Sequence, residues 1–516
     1  HNYTSLPFAV MQYLAIASLF TVWPCVALPR IHLRQSVTGE QRFVDEFGRE
    51  RFFHGSNAIV KGPPWIPSRD TFDPLTSLTS KDFELMKAAG LNVLRLGVMW
   101  PGVEPQRGIY NETYLRIVKD IVEEAATYGI YVLADMHQDL LSERFCGEGV
   151  PLWAAQPVAV PFPIPLALPF LPGPDGLPTH KDCQRFETWA SYQASIATVS
   201  AYDRLFTNYD NLTEAWGAFW AKVTQTLKDA PSVLGMNIIN EPFPGNFYED
   251  PSLLLPQVAD RKRLQPAYDT VAKHIRAISP DTLIFFAGAT WDRTGRVTDR
   301  LPLGFEHAPG GSEFADRSVN SFHFYPPLQS AEHAKAYFQH RLSDARHLGT
   351  GLFLTETCCD FFFEDAVLAV ENMGLSWLHW EWKPFCSNSS TGGDFGACKT
   401  GSGGWPFAYG VFIESMYRAL ARPYAQAIAG NFSSSTFGSE SGTFRLVFLA
   451  DPDIKQPTVI STPNVIYPAG FNVFLSPTGA CDIEYHPGLI HLRNLPMKFA
   501  QKVTVKVMPK GSELVV

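Results

Sequence analysis

Eight short apolar runs recur between Phe52 and Trp382, most of them followed by a stretch of helical periodicity, and this alternation restricts the fold more than any other feature of the chain. The runs are Phe52 to Asn57, Asn92 to Val98, Tyr131 to Met136, Val233 to Asn240, Thr282 to Ala287, Ser318 to His323, Gly351 to Glu356 and Leu375 to Trp382. Between them lie helical patterns at Lys81 to Ala89, Tyr114 to Tyr128, Leu212 to Ala230, Pro266 to Ile278, Ala331 to Leu348 and Glu364 to Met373. Strands joined through helices run parallel, and eight of them close a (β/α)8 barrel. After a helix-like stretch from Phe412 to Ala429 the pattern changes to short β-rich pieces at Phe444 to Leu449, Thr458 to Ile460, Val473 to Leu475 and Lys502 to Val507. These pieces, separated by Ser, Gly, Pro and Asn, read as a small β-sandwich. The expectation is an α/β chain: a (β/α)8 TIM barrel over residues 29–430 and a C-terminal β-sandwich over 431–516.

The 42 basic and 51 acidic residues include no basic tract, so no nucleic-acid partner is expected. Met11 is a candidate initiator, and the apolar run Gln12 to Leu28 ends in small residues near Ala27 and precedes Arg30 and Arg34. Residues 1–28 therefore read as a signal peptide, too short and too broken at Pro24 for a membrane anchor, although no positive n-region precedes it. Export to the cell exterior or to a digestive or lysosome-like compartment is the expectation. It favours disulfides: Cys386 with Cys398 would close a short Ser/Gly-rich loop, and Cys146 with Cys183 would staple the ends of a long insertion. Glycosylation tripeptides at Asn111, Asn211, Asn388 and Asn431 agree with export. Within that insertion, Pro151 to Pro174 is uncharged and rich in Pro, Ala, Val, Leu and Phe, long enough to be functional.

Barrel enzymes place their chemistry at the carboxyl ends of the strands. Here the fourth run ends in Asn240-Glu241-Pro242 and the seventh in Glu356. Two carboxylates facing one glycosidic bond divide the labour, a neutral one protonating the leaving oxygen and an ionised one attacking the anomeric carbon. An isolated Asn-Glu-Pro also fits a turn; the second strand-end Glu is what turns the pair into a site.

Further residues extend the pattern: Arg95 in Val-Leu-Arg-Leu-Gly-Val, His137 in Asp-Met-His-Gln-Asp, His323 and Tyr325 in Phe-His-Phe-Tyr, and Trp382 in His-Trp-Glu-Trp-Lys. With Asn240 and the two glutamates, this ordered set resembles glycoside hydrolase family 5. The resemblance implies Glu241 as acid/base and Glu356 as nucleophile of a retaining hydrolase that needs no metal or cofactor. Arg95 would hold Glu356 ionised, Asn240 would bond the sugar 2-hydroxyl, His137 would bond sugar hydroxyls, His323 and Tyr325 would tune the carboxylates, and Trp382 would offer its face to the sugar ring. Taken singly, Arg95 also fits a structural ion pair, the histidines fit satisfied core positions, and Trp382 fits core packing.

Within that family, Asn240-Glu-Pro-Phe-Pro-Gly245, His54-Gly-Ser-Asn57, Lys61-Gly-Pro-Pro-Trp65 and Trp380-Glu-Trp-Lys-Pro-Phe385 resemble the endoglycoceramidases. That resemblance implies a glycosphingolipid substrate met in a membrane or micelle, with peripheral membrane contact and a monomeric enzyme. It also implies Lys61 and Asp139, with Glu381 or Lys383, as groups that grip glycan hydroxyls; solvated surface charge is the alternative for each. Trp153, Phe162, Phe170 and Leu171, and the segment Cys358 to Phe363, are candidates for the lipid side or for packing on the barrel. Two rivals are open at this point: a family 5 glucanase or glucosidase acting on soluble glycans, and a non-catalytic glycan-binding protein.

Overall fold

The computed structural model describes residues 27–159, 173, 176–183, 189–290, 301–325, 331–358, 363–386, 406–496 and 499–512. Three short strands lead in: β1 (Ile31–Gln35), β2 (Gln41–Asp45) and β3 (Glu50–Arg51). Eight parallel strands follow: β4 (His54–Ala58), β5 (Val93–Gly97), β6 (Tyr131–Asp135), β7 (Val233–Asn237), β8 (Ile284–Phe286), β9 (Ser318–Phe324), β10 (Gly351–Thr357) and β11 (Ser376–His379). They close into a barrel in chain order, β11 pairing back onto β4. All eight predicted runs are therefore barrel strands.

The helices between them form for local reasons. The one at Glu112–Thr127 starts at Asn111, whose side chain accepts from the Tyr114 amide, and buries one stripe made of Tyr114, Leu115, Val118, Ile121, Val122 and Ala125. Inside the barrel, the amino-terminal end is filled by Phe53, Val93, Tyr131, Leu133, Leu234, Leu283, Phe285, Val319, Phe353 and Leu378. Leu33 and Phe43 of the β1–β2 hairpin plug that end, the Phe43 ring lying 5.6 Å from Phe53 and 5.8 Å from Phe353. Chemistry is thus confined to the carboxyl end, the other being shut by hydrocarbon.

The remaining strands are β12 (Tyr424–Ile428), β13 (Gly430–Gly438), β14 (Thr443–Ala450), β15 (Thr458–Ser461), β16 (Phe471–Ser476), β17 (Cys481–His486), β18 (Leu489–Asn494) and β19 (Gln501–Pro509). They build two antiparallel sheets, β1-β2-β3-β12-β15-β18-β17 and β13-β14-β19-β16. Ile460, Ile490 and Leu492 of the first and Val503, Val505 and Val507 of the second belong to one apolar core. Two features differ from the sequence reading. The helix-like stretch Phe412 to Ala429 is a helix only at Glu414–Leu420; Pro423 follows, and Tyr424–Ile428 is β12. Its Ala and Gln residues favour helix, but pairing with β3 and β15 overrides that preference. The amino-terminal strands β1 to β3 also join the larger sheet, so this layer is assembled from both ends of the chain.

The expected disulfide Cys146–Cys183 is present, with Cα atoms 5.5 Å apart. Cys386 is disulfide-bonded too, but its expected partner Cys398 lies outside the described residues, as do most of the presumed signal, Asn388, Phe162, Phe170 and Leu171. Trp153 is half-buried on the barrel, its indole N–H donating to the Glu104 carbonyl at 3.1 Å and its ring edge-on to Trp100. Phe363 is core, packed on Trp377 and His379.

Candidate active site

At the carboxyl end of the barrel, strands β4, β6, β7 and β10 each deliver a polar side chain to one guanidinium on β5. Arg95 on β5 is fully buried, and its five N–H bonds meet five acceptors. Nε donates to Asn237 Oδ1 at 3.1 Å, Nη1 to Asn57 Oδ1 at 3.0 Å and Glu356 Oε1 at 2.5 Å, and Nη2 to Asp135 Oδ1 at 2.8 Å and Asn240 Oδ1 at 2.9 Å. A buried cation so completely bonded is rigid, and it fixes Glu356 and Asn240 relative to one another.

Glu356, on β10, is held from its other side by the Tyr325 hydroxyl, which donates to Oε2 at 2.6 Å. Burial pushes the Glu356 carboxyl up, but His323, Arg95 and His137 together with the Tyr325 hydrogen bond outweigh it, and the carboxyl lies below its ordinary range. Burial and the two glutamates push the Tyr325 phenol far up, so it remains a donor. Glu241 follows β7 with a left-handed backbone at φ 35°, and its side chain is 26% exposed against 5% for Glu356. His323 Nδ1 sits between the two, 2.7 Å from Glu241 Oε1 and 3.4 Å from Glu356 Oε2. A carboxylate oxygen of each glutamate and the imidazole nitrogen all lie within 4.8 Å of one another.

Beside this pair lies a second polar group. His137 Nδ1 meets Asp135 Oδ2 at 3.0 Å, and its Nε2 lies 3.6 Å from Asp139 Oδ2 and 3.4 Å from the Asn240 amide nitrogen. Burial would lower the His137 pKa, but the hydrogen bonds to Asp135 and Asp139 prevail and raise it. Lys61 Nζ is 2.5 Å from Asp139 Oδ2 and 3.6 Å from Glu148 Oε1. Although burial opposes it, the Lys61 charge and His137 hold the Asp139 carboxyl well below the usual carboxylate range. Trp380 covers this group, its ring stacked on His137 at 5.0 Å between centroids with Lys61 Nζ 4.8 Å from its own centroid.

The structure gathers Lys61, Arg95, His137, Asp139, Asn240, Glu241, His323, Tyr325 and Glu356 into one continuous site. Trp382 is the exception. It is fully buried, its indole N–H donating to Asp82 Oδ1 at 2.9 Å and its ring edge-on to Phe407, so it has no face to offer a sugar. The alternating run His-Trp-Glu-Trp-Lys does not disclose which tryptophan faces the mouth; half-buried Trp380 does. Lys383 is also structural, buried beside Asp82 at 2.6 Å and donating to the Asp73 and Ser77 carbonyls at 2.9 Å. Glu381 is buried as well.

Sequence reasoning missed Asn57, Asp135, Asn237, Gln138 and Glu148. Asn57 and Asp135 had a signal, since each stands at or beside the carboxyl end of a strand, and Asp135 precedes His137 by the two-residue period that returns a side chain to the same side. Gln138 donates to the Asn240 and Glu241 carbonyls at 2.6 and 2.9 Å and so ties the turn that bears Glu241 to the β6 connection. Glu148 is brought in only by a long connection, and nothing in its neighbourhood announced it.

Comparison with known proteins agrees with this geometry. Residues 65–385 match the Cellulase (glycosyl hydrolase family 5) domain and residues 422–507 the glycoside hydrolase family 5 C-terminal domain. The chain is 38% identical over 457 residues to an endoglycoceramidase of Cyanea nozakii, covering 87% of this chain and 86% of that one. It is 38% identical over 476 residues to an endoglycoceramidase of Hydra vulgaris, covering 90% and 88%. In fold it is similar to endo-glycoceramidase II from Rhodococcus sp. in complex with ganglioside GM3, with a TM-score of 0.67, 21% identity, and coverage of 90% of this chain and 99% of that one.

Proposed function

Because the chain belongs to glycosyl hydrolase family 5, we propose that it is a retaining endoglycoceramidase that cleaves the β-glycosidic bond between oligosaccharide and ceramide in glycosphingolipids. The observation that carries the reading is the approach of Glu241 and Glu356 to within 4.8 Å, oxygen to oxygen, at the carboxyl end of a closed barrel. Retaining enzymes hold their carboxyl groups about 5–5.5 Å apart, whereas inverting enzymes leave about 6.5–9.5 Å for a water molecule. The endoglycoceramidases of Cyanea nozakii and Hydra vulgaris support the substrate class.

In this mechanism Glu356, kept ionised by its buried cationic surroundings, attacks the anomeric carbon. The C–O bond to ceramide breaks as Glu241 gives its proton to the departing oxygen. A glycosyl ester on Glu356 results. Water then enters beside Glu241, loses a proton to it, and attacks the same carbon from the face that ceramide left, which restores the β configuration and frees Glu356. The more exposed Glu241 suits a group that must exchange protons with solvent, and the buried Glu356 suits a nucleophile. Asn240 lies beside Glu241 to meet the sugar 2-hydroxyl, and Lys61, His137 and Asp139 offer charged hydrogen bonds to glycan hydroxyls further along. The Cys146–Cys183 disulfide supports a secreted enzyme, since such bonds persist in oxidising compartments.

The test is mass spectrometry of the products from a ganglioside and from lactosylceramide, with Glu356→Gln as control. Intact oligosaccharide plus free ceramide, absent in the variant, is expected. Stepwise loss of monosaccharides, or activity only on soluble glucans, would overturn the assignment. Trp380→Ala is expected to raise KM roughly tenfold with a melting temperature near that of the parent, since its ring is worth about 1–2 kcal/mol to a stacked sugar. Trp382→Phe, which leaves Asp82 short of a buried donor, is expected to lower the melting temperature and spare KM.

A further inference from the structure

The exposed apolar side chains of the barrel are not scattered. Among the described residues, Phe72 lies in the connection after β4, Ile109 after β5, Leu152 after β6, Leu255 after β7, and Val411 and Phe412 after β11. The exposed tyrosines Tyr209 and Tyr248 lie in the connections after β6 and β7. All of these are βα connections at the catalytic end. Among the described residues, no barrel helix and no αβ turn exposes a large apolar side chain. The contributing strands are neighbours in the barrel, in the order β11-β4-β5-β6-β7, so the residues form one arc beside the mouth. Elsewhere Val37 and Phe47 sit singly in the turns of the amino-terminal hairpins, Leu449 and Tyr485 belong to the C-terminal sheets, and Phe499 precedes β19.

We infer that this arc is a docking rim that inserts into the surface of a lipid bilayer and sets the catalytic mouth against it. The inference rests on the glycosphingolipid reading above: a substrate whose aglycone is embedded in lipid is reached only if the rim of the mouth is compatible with hydrocarbon. Exposure of Leu255 at 58%, Ile109 at 58% and Val411 at 62% leaves each free to insert, and tyrosines at such a boundary keep their hydroxyls among the headgroups. Charge does not supply the attraction. Around the arc, Arg107 faces Asp210 at 2.7 Å, Lys262 faces Asp250 at 2.9 Å and Arg261 faces Glu306 at 3.2 Å, while Arg144 and Arg204 are turned to backbone carbonyls, of Leu152 at 3.3 Å and of Pro157 at 2.7 Å. The rim therefore suits zwitterionic lipid entered by apolar side chains rather than an anionic surface held by a basic patch.

The experiment is cosedimentation of the full chain with phosphatidylcholine vesicles, with and without lactosylceramide in them, beside activity on a soluble aryl β-lactoside and on detergent-dispersed lactosylceramide. Binding that is unchanged by salt is expected. Phe72→Ser/Val411→Ser/Phe412→Ser is expected to lower vesicle partitioning and vesicle-borne hydrolysis roughly tenfold or more while sparing the soluble lactoside. Because Phe72 and Phe412 also pack on Phe407, Ile109→Ser/Leu255→Ser provides a second variant with the same expectation. Parent-like partitioning of both variants, or binding only to anionic vesicles at low salt, would overturn the rim. Failure to release ceramide even from detergent-dispersed substrate would instead overturn the reading on which it rests, so the two failures are distinct.

Discussion

Replacing Glu356 by Gln is expected to lower kcat roughly ten-thousand-fold or more on every substrate the enzyme accepts. The amide keeps the shape of the carboxylate: its oxygen can accept from Arg95 while its NH2 donates to the Tyr325 hydroxyl oxygen, so the site should stay assembled. What it lacks is the negative charge that makes the carboxylate oxygen a nucleophile able to form the glycosyl ester. Arg95 also keeps Asp135 and its three amide acceptors, so no buried cation is left without an anion and the melting temperature should change little. Glu241→Gln provides the contrast. It removes the proton donor, so ceramide, a poor leaving group, should react very slowly, whereas an aryl lactoside that departs unassisted should still form the glycosyl-enzyme. Steady-state kinetics of both variants on both substrates check the assignment; loss of the first step on the aryl lactoside in the Glu241 variant rather than the Glu356 variant would reverse the two roles.

Arg95→Leu is expected to be the most damaging substitution outside the two glutamates. It strips five acceptors of their donor at once, leaves Asp135 and Glu356 buried without their shared cation, and should cost about 3–5 kcal/mol of stability. Its distinctive signature is in pH. Burial already pushes the Glu356 carboxyl upward, and Arg95 is one of the charges that hold it down. Without Arg95 the pKa rises, so the acid limb of the kcat/KM profile should move to higher pH. The linkage has a definite sign: a carboxyl whose folded pKa is lowered contributes stability above its unfolded value, and that stability is lost as pH falls through the folded value. The stability gap between parent and variant should therefore be widest near neutrality and narrow in acid. Chemical denaturation across pH, with the rate profile, checks both limbs; an unshifted acid limb would mean that Arg95 only props the fold.

Much of the architecture was legible because it depends on short-range patterning. The eight strands and the helices between them were visible as apolar runs alternating with stretches of helical period, and the candidate pair stood out because Asn240-Glu241 and Glu356 terminate the fourth and seventh of those runs. Where propensity and pairing disagreed, pairing won: Tyr424–Ile428 reads as helix by composition and is a strand because β3 and β15 flank it. Nor could the amino-terminal strands be assigned to the C-terminal sheet from sequence, since pairing across most of the chain leaves no local mark.

At the site the division is similar. The pair Glu241 and Glu356 came from residue type at strand ends, because a strand end in a parallel barrel is already a position in space, while their proposed roles and the choice of Arg95, His137, Asn240, His323 and Tyr325 came from the resemblance of the ordered set to glycoside hydrolase family 5. The burial of Trp382 against Asp82, the exposure of Trp380 over His137, the entry of Glu148 beside Lys61 and the convergence of five acceptors on Arg95 came only from tertiary structure. Each depends on where a long connection returns or which way a side chain turns after its strand has ended, and beyond a strand end the regular backbone no longer ties sequence position to direction.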